Sequence, residues 1–221
     1  MNGWTHKRPL REEISSAVIQ GSGAAASIAG LVYLLVEDWS RQDGLGRAAF
    51  IVYGATMFVM FLASALYHGV PHARAKSVLQ QIDHCMIFLL IAGTYTPIAL
   101  GPLRHHGGVA LAAAEWGLAV TGIILRLRTP EFFQRVAVPF YVVLGWLGVA
   151  WAAPIHRELG SVPILLMVAG GLSYTGGILF YRWHSQPFSN AMWHACVVAG
   201  SAWFFVAITR LLSVAPSLAQ G

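Results

Sequence analysis

The sequence predicts an all-α polytopic membrane protein, a seven-transmembrane helix bundle with a cytoplasmic N-terminus and an outside C-terminus. Two observations carry that prediction. Apolar residues make up 57% of the 221-residue chain and charged residues only 10%, where a soluble domain carries about 25% charge. The apolar residues also gather into seven stretches, each near the ~20 residues needed to cross a bilayer.

In chain order the stretches are 14–36, 47–68, 81–100, 108–125, 136–155, 161–181 and 191–212. The loops between them are short, so residues 1–221 read as one transmembrane domain with a short cytoplasmic segment over 1–13. The first stretch carries Gly23, Ser27 and Gly30, and the sixth carries Gly170, Gly171, Gly176 and Gly177. Small residues at such spacings let helix backbones approach closely. Pro97 and Pro139 each remove a backbone hydrogen bond and favour a kink. Cys85 and Cys196 both fall in apolar stretches and read as small buried hydrophobes, not a disulfide. Met1 to Glu13 is polar, and the run after it is long enough to span, so no cleavable leader is expected.

Orientation follows from basic residues near the span ends. With the N-terminus inside, nine lie on the inner side (Lys7, Arg8, Arg11, Arg74, Lys76, Arg126, Arg128, Arg135, Arg182) and five outside (Arg41, Arg47, Arg104, Arg157, Arg210). The net charge of +5 suits anionic lipid, and no basic helix or glycine-rich loop suits nucleic acid. The expected location is the cell membrane, as a multi-pass protein. Membrane lipid is the expected partner.

This topology has a chemical consequence. The second span ends inside at His68, the third begins inside near Asp83, and the seventh begins inside near Asn190 and His194. Ser64 and His68 are four apart and share a helix face, as do Asn190 and His194. Ionisable groups in spans usually face the bundle interior or a wet cavity. Two imidazoles and a carboxylate from three helices could hold a zinc ion, with Asp83 as an outer carboxylate steering water or a histidine. The competing reading makes His68 an interfacial residue and Asp83 a helix-start acid that suits the macrodipole. His72 and His184 lie in inner loops near this cluster; His105 and His106 lie at the other surface. Glu115, well inside the fourth span, is neutral, paired or facing water.

Ser64-Ala-Leu-Tyr-His68, Asp83-His84, Ala92-Gly-Thr-Tyr-Thr-Pro97 and Trp193-His194 resemble the hemolysin III family. That family is the bacterial branch of the progestin and adiponectin receptor superfamily. The resemblance covers nearly the whole chain. It implies a zinc site near the cytoplasmic side, with His68 as ligand, Asp83 holding the reacting water and Ser64 lining the site. The family's seventh span supplies His-x-x-x-His; here His194 matches the second position and Asn190 stands at the first. Trp203 stands where a further histidine is often found. Amide oxygen is a poor zinc ligand beside imidazole. Three arrangements stay open: weak zinc on His68, His194 and Asn190, Asp83 as a direct ligand, or an empty site with Asn190 bonded to the histidines. The resemblance implies ceramidase-like hydrolysis of a lipid amide or ester. The alternatives are a pore-forming cytolytic protein and a non-catalytic lipid sensor.

Overall fold

The first and seventh membrane-spanning helices close on each other, and that closure positions the site. The computed structural model describes residues 9–38, 43–183 and 185–214. The order is α1 (Leu10–Asp38), α2 (Gly44–Gly69), α3 (Ala73–Leu100), a π-helical turn (Arg104–Gly108), α4 (Val109–Arg128), α5 (Pro130–Trp146), a 3₁₀ turn (Leu147–Trp151), α6 (Ala152–Leu159), α7 (Ser161–Arg182), α8 (Ser189–Thr209) and α9 (Leu211–Val214). Among the described residues no strand occurs, and seven helical segments are long and apolar enough to cross a membrane. The fifth segment joins α5, the 3₁₀ turn and α6.

Consecutive spans run antiparallel, so α1 packs on α2, α2 on α3, α3 on α4 and α7 on α8, while α1 also reaches α8. Lipid offers no hydrophobic drive between helices, so close packing and internal polar contacts must hold them. Glycine supplies the closest approach where α1 meets α2: a Cβ on Gly54 would stand 2.6 Å from a Leu31 methyl. Cys85 and Cys196 are free thiols; Cys85 is buried as expected, whereas Cys196 is only partly buried.

Element boundaries differ from expectation most at four points. The third helix starts at Ala73, not 81, which puts Asp83 well inside it and not at its start, and α5 starts at Pro130, not 136. The first helix starts at Leu10, not 14, which draws Glu12 and Glu13 into its opening turn. The fifth span is interrupted at Leu147–Trp151, whereas Pro97 and Pro139 lie within continuous helix. The cause is Pro154. Its ring cannot donate to the residue four before it, Ala150, and crowds that carbonyl, so α6 has to restart at Ala152 with Pro154 in its first turn, where the missing N–H does no harm.

At the far end of the bundle Asp43 caps α2: its Oδ1 accepts from the Gly46 N–H at 2.8 Å. Arg104 Nη1 donates to Oδ2 at 2.9 Å. The Gly46 amide, and Arg104 after it, hold the Asp43 carboxyl below its ordinary range. A depressed carboxylate stabilises the fold above its unfolded pKa of about 4 and loses that contribution as pH falls through the folded value. Asp43→Ala should therefore cost about 1 kcal/mol at neutral pH and nothing at a pH below both values, measured by thermal unfolding in detergent. The Arg104 pair adds little because Asp43 is 60% exposed.

Candidate functional site

Four helix ends meet at one end of the bundle: the starts of α1, α3 and α8 and the end of α2. His68, on the last turn of α2, and His194, in the second turn of α8, are each 4% exposed. Their Nε2 atoms face each other at 2.9 Å, with the rings edge to face. The other nitrogen of each ring is also engaged. His68 Nδ1–H donates to Glu13 Oε2 at 2.9 Å, and Gln20 Nε2 lies 2.5 Å from His194 Nδ1. Lys76 Nζ donates to the same Glu13 oxygen at 2.8 Å and to the Tyr67 carbonyl at 3.0 Å.

A neutral proton order fits these contacts. With its Nδ1 proton on Glu13, neutral His68 offers a lone pair at Nε2. His194 Nε2–H donates into that lone pair, and the Gln20 amide donates to His194 Nδ1. Both imidazoles are then satisfied without a buried charge on either ring.

Asn190 lies beside this pair. Its Nδ2 donates to Ser16 Oγ at 2.9 Å and stands 3.5 Å from His68 Nε2. Its backbone N–H donates to Glu12 Oε1 at 3.1 Å. A carboxylate from α1 thus caps the N-terminus of α8, where spare N–H groups and the helix dipole favour negative charge. Glu12, Ser16 and Gln20 are four apart and form one inward stripe on α1, each 8% exposed or less.

Of the residues expected from the sequence, His68, His194 and Asn190 are brought together. Asp83 is buried and lines the same cavity as the two histidines. Ser64 is buried one turn before His68, and its hydroxyl has no hydrogen-bond partner among the described residues. His72 is exposed and serves as the N-cap of α3. His184 lies outside the described residues. His105 and His106 are on the turn between α3 and α4 at the other end, where His106 Nδ1 is 3.5 Å from Glu158. Glu115 is fully buried, and neither of its carboxyl oxygens has a partner among the described residues. Among the described residues no group of three or more His, Cys, Asp or Glu side chains is gathered as a metal cluster.

The sequence reading missed the α1 contribution: Glu12, Glu13, Ser16 and Gln20, together with Lys76. A signal was available. Polar residues every four positions at the start of an apolar span mark an inward face.

The site opens into a cavity of about 1160 Å³. Its lining is polar at Glu13, Lys76, His84, Arg126 and Gln134 and apolar or aromatic at Ile91, Tyr95, Trp146, Tyr174, Val197 and Phe204. From Asn190 to Phe204 it follows α8 for about 20 Å at about 1.5 Å per residue.

A bundle of seven apolar helices with a buried, hydrogen-bonded histidine pair at one end defines a multi-pass membrane protein with an intramembrane polar site. Residues 9–205 match the family described as haemolysin-III related. The chain is 35% identical to a hemolysin-3 homolog of Bacillus subtilis (strain 168), over 90% of this chain and 93% of that protein. It is 36% identical to hemolysin-3 of Bacillus cereus, over 90% and 91%. It is also 27% identical to the human monocyte to macrophage differentiation factor, over 75% and 71%. The chain belongs to the haemolysin-III related family.

Proposed function

We propose that this chain is a zinc-dependent intramembrane hydrolase acting on an amide or ester bond of a membrane lipid. The observation that carries the reading is the pair of facing Nε2 atoms at the polar end of a long apolar cavity. The two imidazoles supply two of the three protein ligands a catalytic zinc takes. Zinc–nitrogen bonds of about 2.0–2.1 Å at tetrahedral angles put two donors about 3.3 Å apart, a few tenths more than the 2.9 Å between these rings. Glu13 holds the outer nitrogen of His68, as carboxylates do for metal-ligating imidazoles. The unpartnered Ser64 hydroxyl marks spare polar capacity one turn away.

His68 and His194 would hold the ion, with the Asn190 amide as a weaker third donor. Zinc, when bound, would polarise the scissile carbonyl and lower the pKa of a water to about 7. Asp83 would orient that water and take up its proton. Glu13 and Gln20 keep the rings turned toward the common point. From His194 to Phe204 the cavity runs about 15 Å, close to one leaflet of hydrocarbon, about half of ~30 Å, a length that suits a single acyl chain with the cleaved bond near the histidines. The bias of nine basic residues to five favours reading this end as the cytoplasmic one.

The test is metal content and turnover together. Purified protein should carry one zinc per chain and hydrolyse a fluorescent lipid amide or ester. His68→Ala should lose both. Asn190→His should bind zinc more tightly, since imidazole replaces an amide. The name of the bacterial relatives favours a second, cytolytic reading. Dye release from loaded liposomes that survives His68→Ala would put that reading first. Lipid binding without turnover in zinc-loaded protein would put sensing first.

A further inference from the structure

Gln20 is the residue that lets this histidine pair exist in two hydrogen-bond states, and we infer that it sets the pair's affinity for a divalent metal. The inference rests on the metal reading above and adds a positioning residue that touches neither metal nor substrate.

The geometry is as follows. Gln20 is 1% exposed. Its Nε2 stands 2.5 Å from His194 Nδ1, and its Oε1 has no partner among the described residues. In this arrangement the amide donates, His194 carries its proton on Nε2, and that proton lies in the 2.9 Å bond to His68. The lone pair that a metal needs on His194 Nε2 is therefore absent. Freeing it requires moving the ring proton to Nδ1, where Gln20 is the facing group. A donating amide opposes that tautomer. An accepting carbonyl supports it.

An amide can do either. Rotating the Gln20 amide by half a turn brings Oε1, the atom now without a partner, against His194 Nδ1–H. The ring keeps its charge through this exchange; only the proton position changes. Asn190 has the same latitude: turned over, its Oδ1 would face His68 while the Ser16 hydroxyl donates to it. A carboxylate at position 20 could only accept, and a hydrocarbon could do neither. The protein-only chain from Gln20 through His194 and His68 to Glu13 and the metal-holding arrangement are thus competing states of the same residues. The cost of breaking the former is subtracted from metal binding.

The test uses full-length protein in detergent with zinc alone as the probe. Gln20→Glu, which can only accept, should tighten zinc binding about 10–100-fold, whereas Gln20→Leu, which supports neither tautomer, should leave it close to wild type, both read by competition with a chelating dye. In wild-type protein with ¹⁵N-labelled histidine, zinc should move the His194 ring proton from Nε2 to Nδ1, which does not depend on any variant folding. Wild-type affinity in Gln20→Glu, with no change of tautomer, would overturn the role of Gln20 and leave the metal reading standing. No zinc binding at one per chain in wild type, Gln20→Glu and Asn190→His would overturn both.

Discussion

Glu13→Leu is expected to destabilise the protein by about 2–3 kcal/mol, read as loss of unfolding free energy in detergent. Glu13 Oε2 takes hydrogen bonds from both His68 Nδ1 and Lys76 Nζ. The imidazole side chain is 1% exposed, so its N–H would lose its acceptor with no water to replace it, at about 1–3 kcal/mol. Lys76 is 29% exposed and can turn to solvent, which keeps the loss below the ~3–5 kcal/mol of breaking a fully buried pair. Glu13→Gln keeps an acceptor for His68 and should recover more than half of the deficit. Pairing Glu13→Leu with Lys76→Met should cost less than the two changes added together, because the second removes the charge the first leaves unpaired. Equal losses in Glu13→Gln and Glu13→Leu would mean that helix packing, not the hydrogen bond, is responsible.

Gly108→Ala should be costlier still, about 3 kcal/mol or more. Gly108 closes the turn between α3 and α4. A Cβ there would stand 2.0 Å from the Ala99 carbonyl oxygen and 2.5 Å from that of Leu103. Both obstacles are backbone, so relief requires α3 and α4 to separate. Gly117→Ala in the middle of α4 provides the opposite sign. No atom lies within 4 Å of its Cβ position, and alanine is better than glycine in a helix by about 0.5–1 kcal/mol. If both variants shifted stability alike, the turn would be looser than described.

The number and order of spans were legible because lipid demands long apolar helices and the composition leaves few other ways to fold. The meeting of His68 and His194 was legible for the same reason: alternating spans bring every second helix end to one surface. The boundary of α1 was not. Arg11, Glu12 and Glu13 read as a polar lead-in, yet they open the helix because their carboxylates have partners on α2, α3 and α8. The inward placing of Gln20 was legible from its four-residue spacing with Glu12 and Ser16, but its role was not, since a single amide shows its purpose only when its neighbour on another helix is known. Pro154, not Pro139, interrupts the fifth span, and sequence spacing does not distinguish two prolines whose effect depends on where a helix can restart.

The two faces of α1 set the timetable for making this protein. Leu10, Ile14, Val18, Ile28, Val32 and Val36 point outward, while Glu12, Ser16 and Gln20 point in. The outer row suits immediate release from the translocon into lipid. The inner row does not, because two of its partners, Asn190 and His194, lie 174 residues further along the chain than Ser16 and Gln20. From the moment α1 is inserted until α8 follows, its polar row must be shielded by water or by another protein. Completion of the seventh span is then a ring closure that creates the site and retires that exposed row in one event.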